Sequence, residues 1–302
     1  MNTIFVQIAS FRDPQLIPTL EDMIANAKYP ENLRIGICNQ YNTEDEFNLD
    51  KFRDDDRFRI DNVLDTESKG VCWARHMVQQ RYSGETYTLQ IDSHMRFEKD
   101  WDKTLIKMLK DLQKKGYKKP LLTGYVSSFD PDNDPKGRVT EPWRMAFDRF
   151  TPEGCVFFLP ETIPGWKDLK EPITARFYSA HFCFTLGEFS IEVQHDPEYY
   201  FHGEEISIAV RAYTYGYDLF HHIKLLFGMN IQERIEQNIG MLIQSGIRKM
   251  SHHIKEIESY WVLMVWYFLV IVHYILEPKE QLKIMKSIPE SFLRKEPYNN
   301  IQ

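Results

Sequence analysis

Cysteine is scarce and scattered in this chain. Cys38, Cys72, Cys155 and Cys183 are the only four in 302 residues, and none forms a CxxC pair. That spacing indicates neither a zinc site nor a disulfide framework, and no secretory leader precedes them. The expectation is reduced thiols in a cytoplasmic protein. A positive excess is also missing: the net charge of −7 excludes affinity for nucleic acid through a basic surface, so no nucleic-acid partner is expected. An anionic ligand then requires a metal or a local Arg/Lys cluster. Internal repeats and low-complexity tracts are absent, and 43% hydrophobic with 27% charged residues excludes disorder for most of the chain. The length fits one α/β domain with appendages and a sizeable core. Aromatic residues, at 14%, are plentiful enough both to fill that core and to stack on flat ligands.

Short apolar runs alternate with amphipathic stretches. Thr3 to Ala9 reads as a strand, and Ser10, Phe11, Arg12, Asp13 and Pro14 as a loop opening a helix, on which Leu16, Leu20, Met23, Ile24 and Ala27 form one apolar stripe. Leu33 to Cys38 and Phe58 to Val63 are further strands, separated by a polar segment. Gly70 to Gln80 reads as helix, Thr86 to Ile91 as strand and Trp101 to Leu112 as helix. This wiring predicts an α/β fold, a mostly parallel sheet flanked by helices, with ligands beyond the carboxyl ends of the strands, in the loops after residues 9, 39, 63 and 91. Pro120 to Val126 continues the pattern. Asp130 to Arg149, rich in Pro, Asp and Gly, reads as an excursion loop of the kind that binds an acceptor. Ala180 to Leu186 resumes a strand, and Gly203 to Tyr215 is a helix with Ile206, Val210 and Tyr213 on one side. Tyr260 to Leu276 is a 17-residue run without formal charge, at the short end of the membrane-spanning range.

The strongest local signal is Leu89-Gln90-Ile91-Asp92-Ser93-His94, an apolar strand ending in a carboxylate, a small residue and an imidazole. Residues i and i+2 share a side, so Asp92 and His94 reach one cation if strand geometry persists. A hard oxygen with an imidazole suits a divalent metal such as Mn²⁺, which also accepts diphosphate oxygens. The structural alternative makes Asp92 a turn cap and His94 a polar loop residue. Arg12 and Asp13 sit where an anionic or nucleotide group lies in such sheets, the guanidinium offering paired donors; Asp13 as a helix cap before Pro14 is compatible with that. Gly70, Trp73 and Ala74 permit close backbone approach at a helix start, from which Arg75 either meets a diphosphate or lies on the surface. Glu204 and Glu205 follow Gly203, His202 and the aromatics Tyr199, Tyr200 and Phe201. They complement a helix dipole or recognise sugar hydroxyls beside stacking rings.

Taken in order, IASFRDPQLIPTL, GVCWAR, LQIDSHMRFEKDWD and FHGEEISIAVRAYTYGYDLF resemble the cytoplasmic hydroxyproline N-acetylglucosaminyltransferases, a GT-A group related in design to the mucin-type polypeptide sugar transferases. The resemblance covers residues 3 to 221. It implies Asp92 and His94 as the DxH metal ligands; Ser10, Arg12 and Asp13 in the uridine-side loop; Trp73 and Arg75 with Asp92 on the donor; and Glu204 and Glu205 on the sugar and acceptor side. It implies Mn²⁺ or another divalent cation, UDP-GlcNAc as donor, transfer that retains the anomeric configuration, and a protein or glycan acceptor. No residue announces itself as a nucleophile, and a front-face displacement needs none.

After YGYDLFH the chain departs from that pattern. The family continues with an HPHK-type stretch and WHEYTR, whose WH histidine supplies a further metal ligand; here the residues are His222, Ile223, Lys224, Leu225, Leu226, Phe227, Gly228 and Met229. Back-translation from His222, begun one nucleotide earlier, permits PHKVVIWHEYTRKDRTKHWD down to Met241, the glutamate of WHE following from Met229 and Asn230. The expectation is therefore a catalytic domain over 1–221 and a frameshifted, poorly packed segment over 222–302, so that 260–276 is no membrane anchor and activity is impaired. His221 or His222 as substitute third ligand is the alternative. Two other readings stand beside the enzyme: a non-catalytic sugar-nucleotide or glycan-binding protein, and a membrane-associated enzyme anchored by 260–276.

Overall fold

The computed structural model describes residues 2–150, 156–201, 203–223 and 227–230. The apolar run 260–276, Cys155, His202 and nearly all of the segment expected to be frameshifted lie outside them. In chain order the elements are β1 (Ile4–Phe11), α1 (Leu16–Asn26), β2 (Leu33–Tyr41), β3 (Phe58–Leu64), α2 (Val71–Gln79), β4 (Tyr87–Asp92), β5 (Met95–Phe97), α3 (Trp101–Lys114), β6 (Lys119–Thr123), β7 (Ser127–Phe129), β8 (Trp143–Phe150), β9 (Val156–Thr162), β10 (Ile173–Thr174), β11 (Phe182–Leu186), α4 (Phe189–Glu192), α5 (Glu204–Thr214), β12 (Tyr217–His221) and β13 (Phe227–Asn230). Contacts gather Met1–Met145 with Pro160–Gln232 into a first compact unit. The first runs beyond the expected boundary at residue 221.

That first unit is built on an eight-stranded sheet in the order β10-β12-β6-β11-β4-β1-β2-β3. The pairings β12–β6, β4–β1, β1–β2 and β2–β3 are parallel, while β11 runs antiparallel to both β4 and β6. The mostly parallel α/β sheet is as expected. Alternation along β1 decides the two faces: Ile4, Val6 and Ile8 enter a core with Leu16, Leu20 and Met23 of α1 and Leu105 and Leu109 of α3, whereas Phe5 packs with Cys38, Ala74 and Val78 beneath α2. A third cluster buries Ile208, Ala209 and Ala212 of α5 against Leu121, Cys183 and Leu219.

A small sheet, β5-β13-β7, sits past the end of β4. Met229 of β13 pairs with Met95 and Ser128, and its side chain joins the main core.

Two expectations change. The excursion after Asp130 ends at Pro142, because Trp143–Phe150 is a strand whose bulky residues alternate along a two-stranded sheet with β9. On α5 the buried apolar residues are Ile206, Ile208, Ala209 and Ala212, not Val210 and Tyr213; Tyr213 is 54% exposed. Small alanines let the helix lie close to the sheet, and the stripe rotates to place them inward.

Among the described residues no helix is long and apolar enough to cross a membrane.

Candidate active site

β4 ends at Asp92 in the middle of the sheet, flanked in register by Ala9 of β1. The chain then turns through Ser93 and His94 into β5. Thr19 of α1 holds that turn, accepting from the Met95 N–H at 2.9 Å and donating to the Ser93 carbonyl at 2.7 Å. Asp92 and His94 come to lie side by side, with Asp92 Oδ2 and His94 Nε2 3.9 Å apart.

Each is fixed by its own charged partner. His94 is buried, and its Nδ1 meets Asp13 Oδ2 at 2.8 Å, which leaves Nε2 as the nitrogen toward Asp92. Asp13 is fully buried; it also accepts from the Ser93 hydroxyl, and from the Gln15 N–H at 2.8 Å. Burial pushes its carboxyl up, but the bonds from His94, Ser93 and Gln15 outweigh that and hold it below the ordinary value. Asp13, expected to meet nucleotide, has no surface to do so. It is the carboxylate that orients the His94 imidazole from behind.

Arg75 holds Asp92. Its Nη2 donates to Asp92 Oδ1 at 2.7 Å, and its Nη1 donates to both oxygens of Glu204 at 2.7 and 2.8 Å. The Arg75 side chain is 6% exposed, so it is neither on the surface nor free for a diphosphate. Against the cost of burial, the buried Glu204 and the half-buried Asp92 raise its already high pKa further. Glu204, expected on the acceptor side, is 5% exposed with both oxygens engaged; Arg75 and His195 overcome burial and bring it down to about 2. Glu205 accepts from the Ala180 N–H at 3.0 Å. Helix formation places these consecutive residues on different faces, which is why they serve different partners.

The glycine expected to admit a ligand admits protein instead. Gly70 has φ +104°, and a Cβ there would lie 2.6 Å from the Tyr200 carbonyl oxygen, so 199–201 closes over the start of α2. Trp73 packs partly buried on that side, with Lys69 over its ring.

Arg12 stands at the carboxyl end of β1 with φ 47°, a left-handed turn. Its side chain is 41% exposed and reaches Asp45 at 3.0 Å and Asp65 at 3.4 Å. Asn42 ties both acids together, bonding Asp45 through its backbone and Asp65 through its amide. Next to this lip, Ser10 faces Asn39 across the β1–β2 ladder; Ser10 Oγ and Asn39 Oδ1 are buried without a hydrogen-bond partner among the described residues. A polar ligand or water is the usual occupant of such a place.

His221 and His222 do not join Asp92. They lie on or just past β12, three strands from β4, about 14 Å by strand spacing. His221 Nδ1 bonds the Thr123 carbonyl at 3.1 Å, and His222 packs edge-on against Phe182. Among the described residues, no group of three or more His, Cys, Asp or Glu is arranged to hold a metal.

Residues 3–55 and 46–227 match the family described as Glycosyltransferase (GlcNAc). The chain belongs to that family. Among curated proteins, none matches the sequence. Solved structures share the fold of this GlcNAc glycosyltransferase at low identity. One is GalNAc-T7 with UDP, GalNAc and Mn²⁺, with a TM-score of 0.57 and 16% identity over 76% of this chain and 44% of that one. Another is S. aureus TarS 1-349, with a TM-score of 0.50 and 10% identity over 76% and 60%; its complex with UDP-GlcNAc gives 0.50 and 11% over 76% and 58%. The chain thus spans less than half the length of the first and about three-fifths of the second.

Sequence reasoning missed His195 and Gln90, which stand behind Glu204. The available signal was Gln90 itself, an amide in the apolar run leading to Asp92 that had to find a buried partner.

Proposed function

We propose that this protein transfers N-acetylglucosamine from UDP-GlcNAc to a hydroxyl of a protein or glycan in the cytoplasm, retaining the anomeric configuration, with a divalent cation such as Mn²⁺ at Asp92 and His94. Hydroxyproline is the acceptor that the motif resemblance favours. One observation carries the reading: a carboxylate oxygen and an imidazole nitrogen lie 3.9 Å apart at the end of the central strand, each oriented by a separate buried partner. Hard oxygen with imidazole is a donor set that fits Mn²⁺. When bound, the cation neutralises charge on the departing diphosphate.

The chain's own residues do the rest. Asp13 holds His94 Nε2 toward Asp92, and Arg75 takes Asp92 Oδ1 so that Oδ2 is the oxygen next to His94. Arg12, with Asp45, Asp65 and Asn42, lines the uridine side, where guanidinium and carboxylates match the acceptors and donors of base and ribose. Glu204 and Glu205 work behind the donor, supporting Arg75 and the Ala180 peptide. The sequence announces no nucleophile, and a front-face displacement, in which the acceptor proton passes to the departing phosphate, needs none.

The segment 222–302 is read as frameshifted. Support comes from the family match ending at residue 227, close to where the motif breaks. In the restored frame the WH histidine takes the place of Met229, which in this chain packs in the core. Mn²⁺ titration with UDP-GlcNAc on this chain, on Asp92→Ala and on a frame-restored version tests the reading. Donor binding and hydrolysis should be Mn²⁺-dependent and strongest in the restored form, and lost in Asp92→Ala. Metal-independent binding that Asp92→Ala leaves intact sinks it. The second reading, a non-catalytic sugar-nucleotide or glycan-binding protein, is favoured by the lack, among the described residues, of a third metal-ligating side chain grouped with Asp92 and His94; binding of UDP-GlcNAc without hydrolysis, even in the restored form, selects it.

A further inference from the structure

Gln90 and Asp92 are alternate residues of β4, so their side chains leave the strand on the same face. A continuous run of contacts through three other segments joins them. Asp92 Oδ1 accepts from Arg75 Nη2 at 2.7 Å, and Arg75 Nη1 donates to Glu204. Glu204 Oε1 lies 2.7 Å from His195 Nδ1, and His195 Nε2 lies 2.6 Å from Gln90 Oε1. The ring begins and ends on one strand.

Its far side is anchored. His195 is 1% exposed, and its backbone N–H donates to Gln79 Oε1 at 2.7 Å. Gln90 Nε2 donates to the Ala180 carbonyl at 2.6 Å, which leaves Gln90 Oε1 facing His195. A carboxylate touched by a guanidinium alone turns easily about its last torsion, whose preference is broad. A second contact, from His195 on Oε1, removes that freedom. The planar guanidinium then transmits the orientation, because its two Nη groups cannot move independently.

We infer that His195 is a positioning residue for Asp92: it braces Glu204 at Oε1, an oxygen that Arg75 Nη1 also reaches, and so aims the guanidinium that holds Asp92 with Oδ2 beside His94. The ring geometry stands on its own, and its consequence for donor binding rests on the function proposed above.

The experiment uses the full chain, ¹⁵N-labelled, in three forms: unaltered, His195→Phe, which fills the space without bonding, and His195→Gln, which keeps a donor and an acceptor. The Arg75 guanidinium resonances read the far end of the ring. They should be resolved and slowly rotating in the unaltered chain and in His195→Gln, and averaged in His195→Phe. Mn²⁺-dependent UDP affinity should fall about tenfold or more in His195→Phe and recover in His195→Gln, the scale seen when an orienting partner of a metal site is removed.

Arg75 resonances in His195→Phe as well resolved as in the unaltered chain overturn the inference, whatever UDP does. Should His195→Phe fail to fold, Gln90→Leu removes the brace one contact earlier and must give the same averaging; resolved signals there overturn it equally. Averaged Arg75 signals in a set where no form binds UDP sustain the brace and sink the donor-site reading instead.

Discussion

Replacing Glu204 by Gln keeps the side chain's shape and removes one charge from a buried site. Burial disfavours that charge, but Arg75 and His195 overcome it, so the carboxyl titrates at about 2 instead of 4.5. The difference corresponds to about 3 kcal/mol of stability in the ionised state. Chemistry bounds the same quantity independently. Charged hydrogen bonds contribute about 1.5–3 kcal/mol each, and removing one partner of a buried pair costs about 3–5 kcal/mol. Arg75 keeps Asp92 in the variant, which places the loss at the low end. The sign is set by the lowered pKa: the stabilisation is complete above about pH 4.5 and is lost as pH falls toward 2. Urea unfolding followed by tryptophan fluorescence should therefore show Glu204→Gln about 3 kcal/mol less stable than the unaltered chain at about pH 7. From pH 4.5 to pH 3 that gap should close by about 1.4 kcal/mol per unit. A gap that stays constant over this range, or one below about 0.5 kcal/mol at neutral pH, would refute the account of Glu204 as a charged counter-ion.

Asp13→Asn should leave the fold in place and weaken Mn²⁺-dependent UDP binding by about 10- to 100-fold in calorimetry, because His94 loses the carboxylate that orients it; unchanged affinity would remove Asp13 from the site. Gly70→Ala forces a Cβ to within 2.6 Å of the Tyr200 carbonyl at φ +104°, and should cost at least about 2 kcal/mol in chemical unfolding. Burial lowers His221 to about 4 and His222 to about 3. Between pH 6.5 and those values the unfolded chain binds more protons, so stability should fall on acidification by up to about 2.7 kcal/mol per pH unit, and a chain with both residues changed to Gln should show a flatter melting profile from pH 7 to pH 5.

Much of the scaffold was legible because each strand and helix is a local hydrophobic pattern. Leu33 to Cys38 and Trp101 to Leu112 announce themselves by period, and both form where expected, β2 running on to Tyr41. The antiparallel insertion of β11 between β4 and β6 was not legible, since a strand's direction depends on how the chain returns to the sheet. On α5 periodicity selected the large side chains, whereas close packing selected the small ones.

What the sequence by itself determined was the pair at the end of β4. Asp92 ends a strand that must be buried and His94 stands two residues on, in the turn that follows, so no long-range information is needed to bring them near each other. Only tertiary structure decided what holds them. Asp13, Arg75, Glu204 and His195 come from four places along the chain, and their types alone left each open to contact a ligand, a helix end or solvent. Burial settles their partners, because an ionised group removed from water must be neutralised by whatever the fold puts beside it.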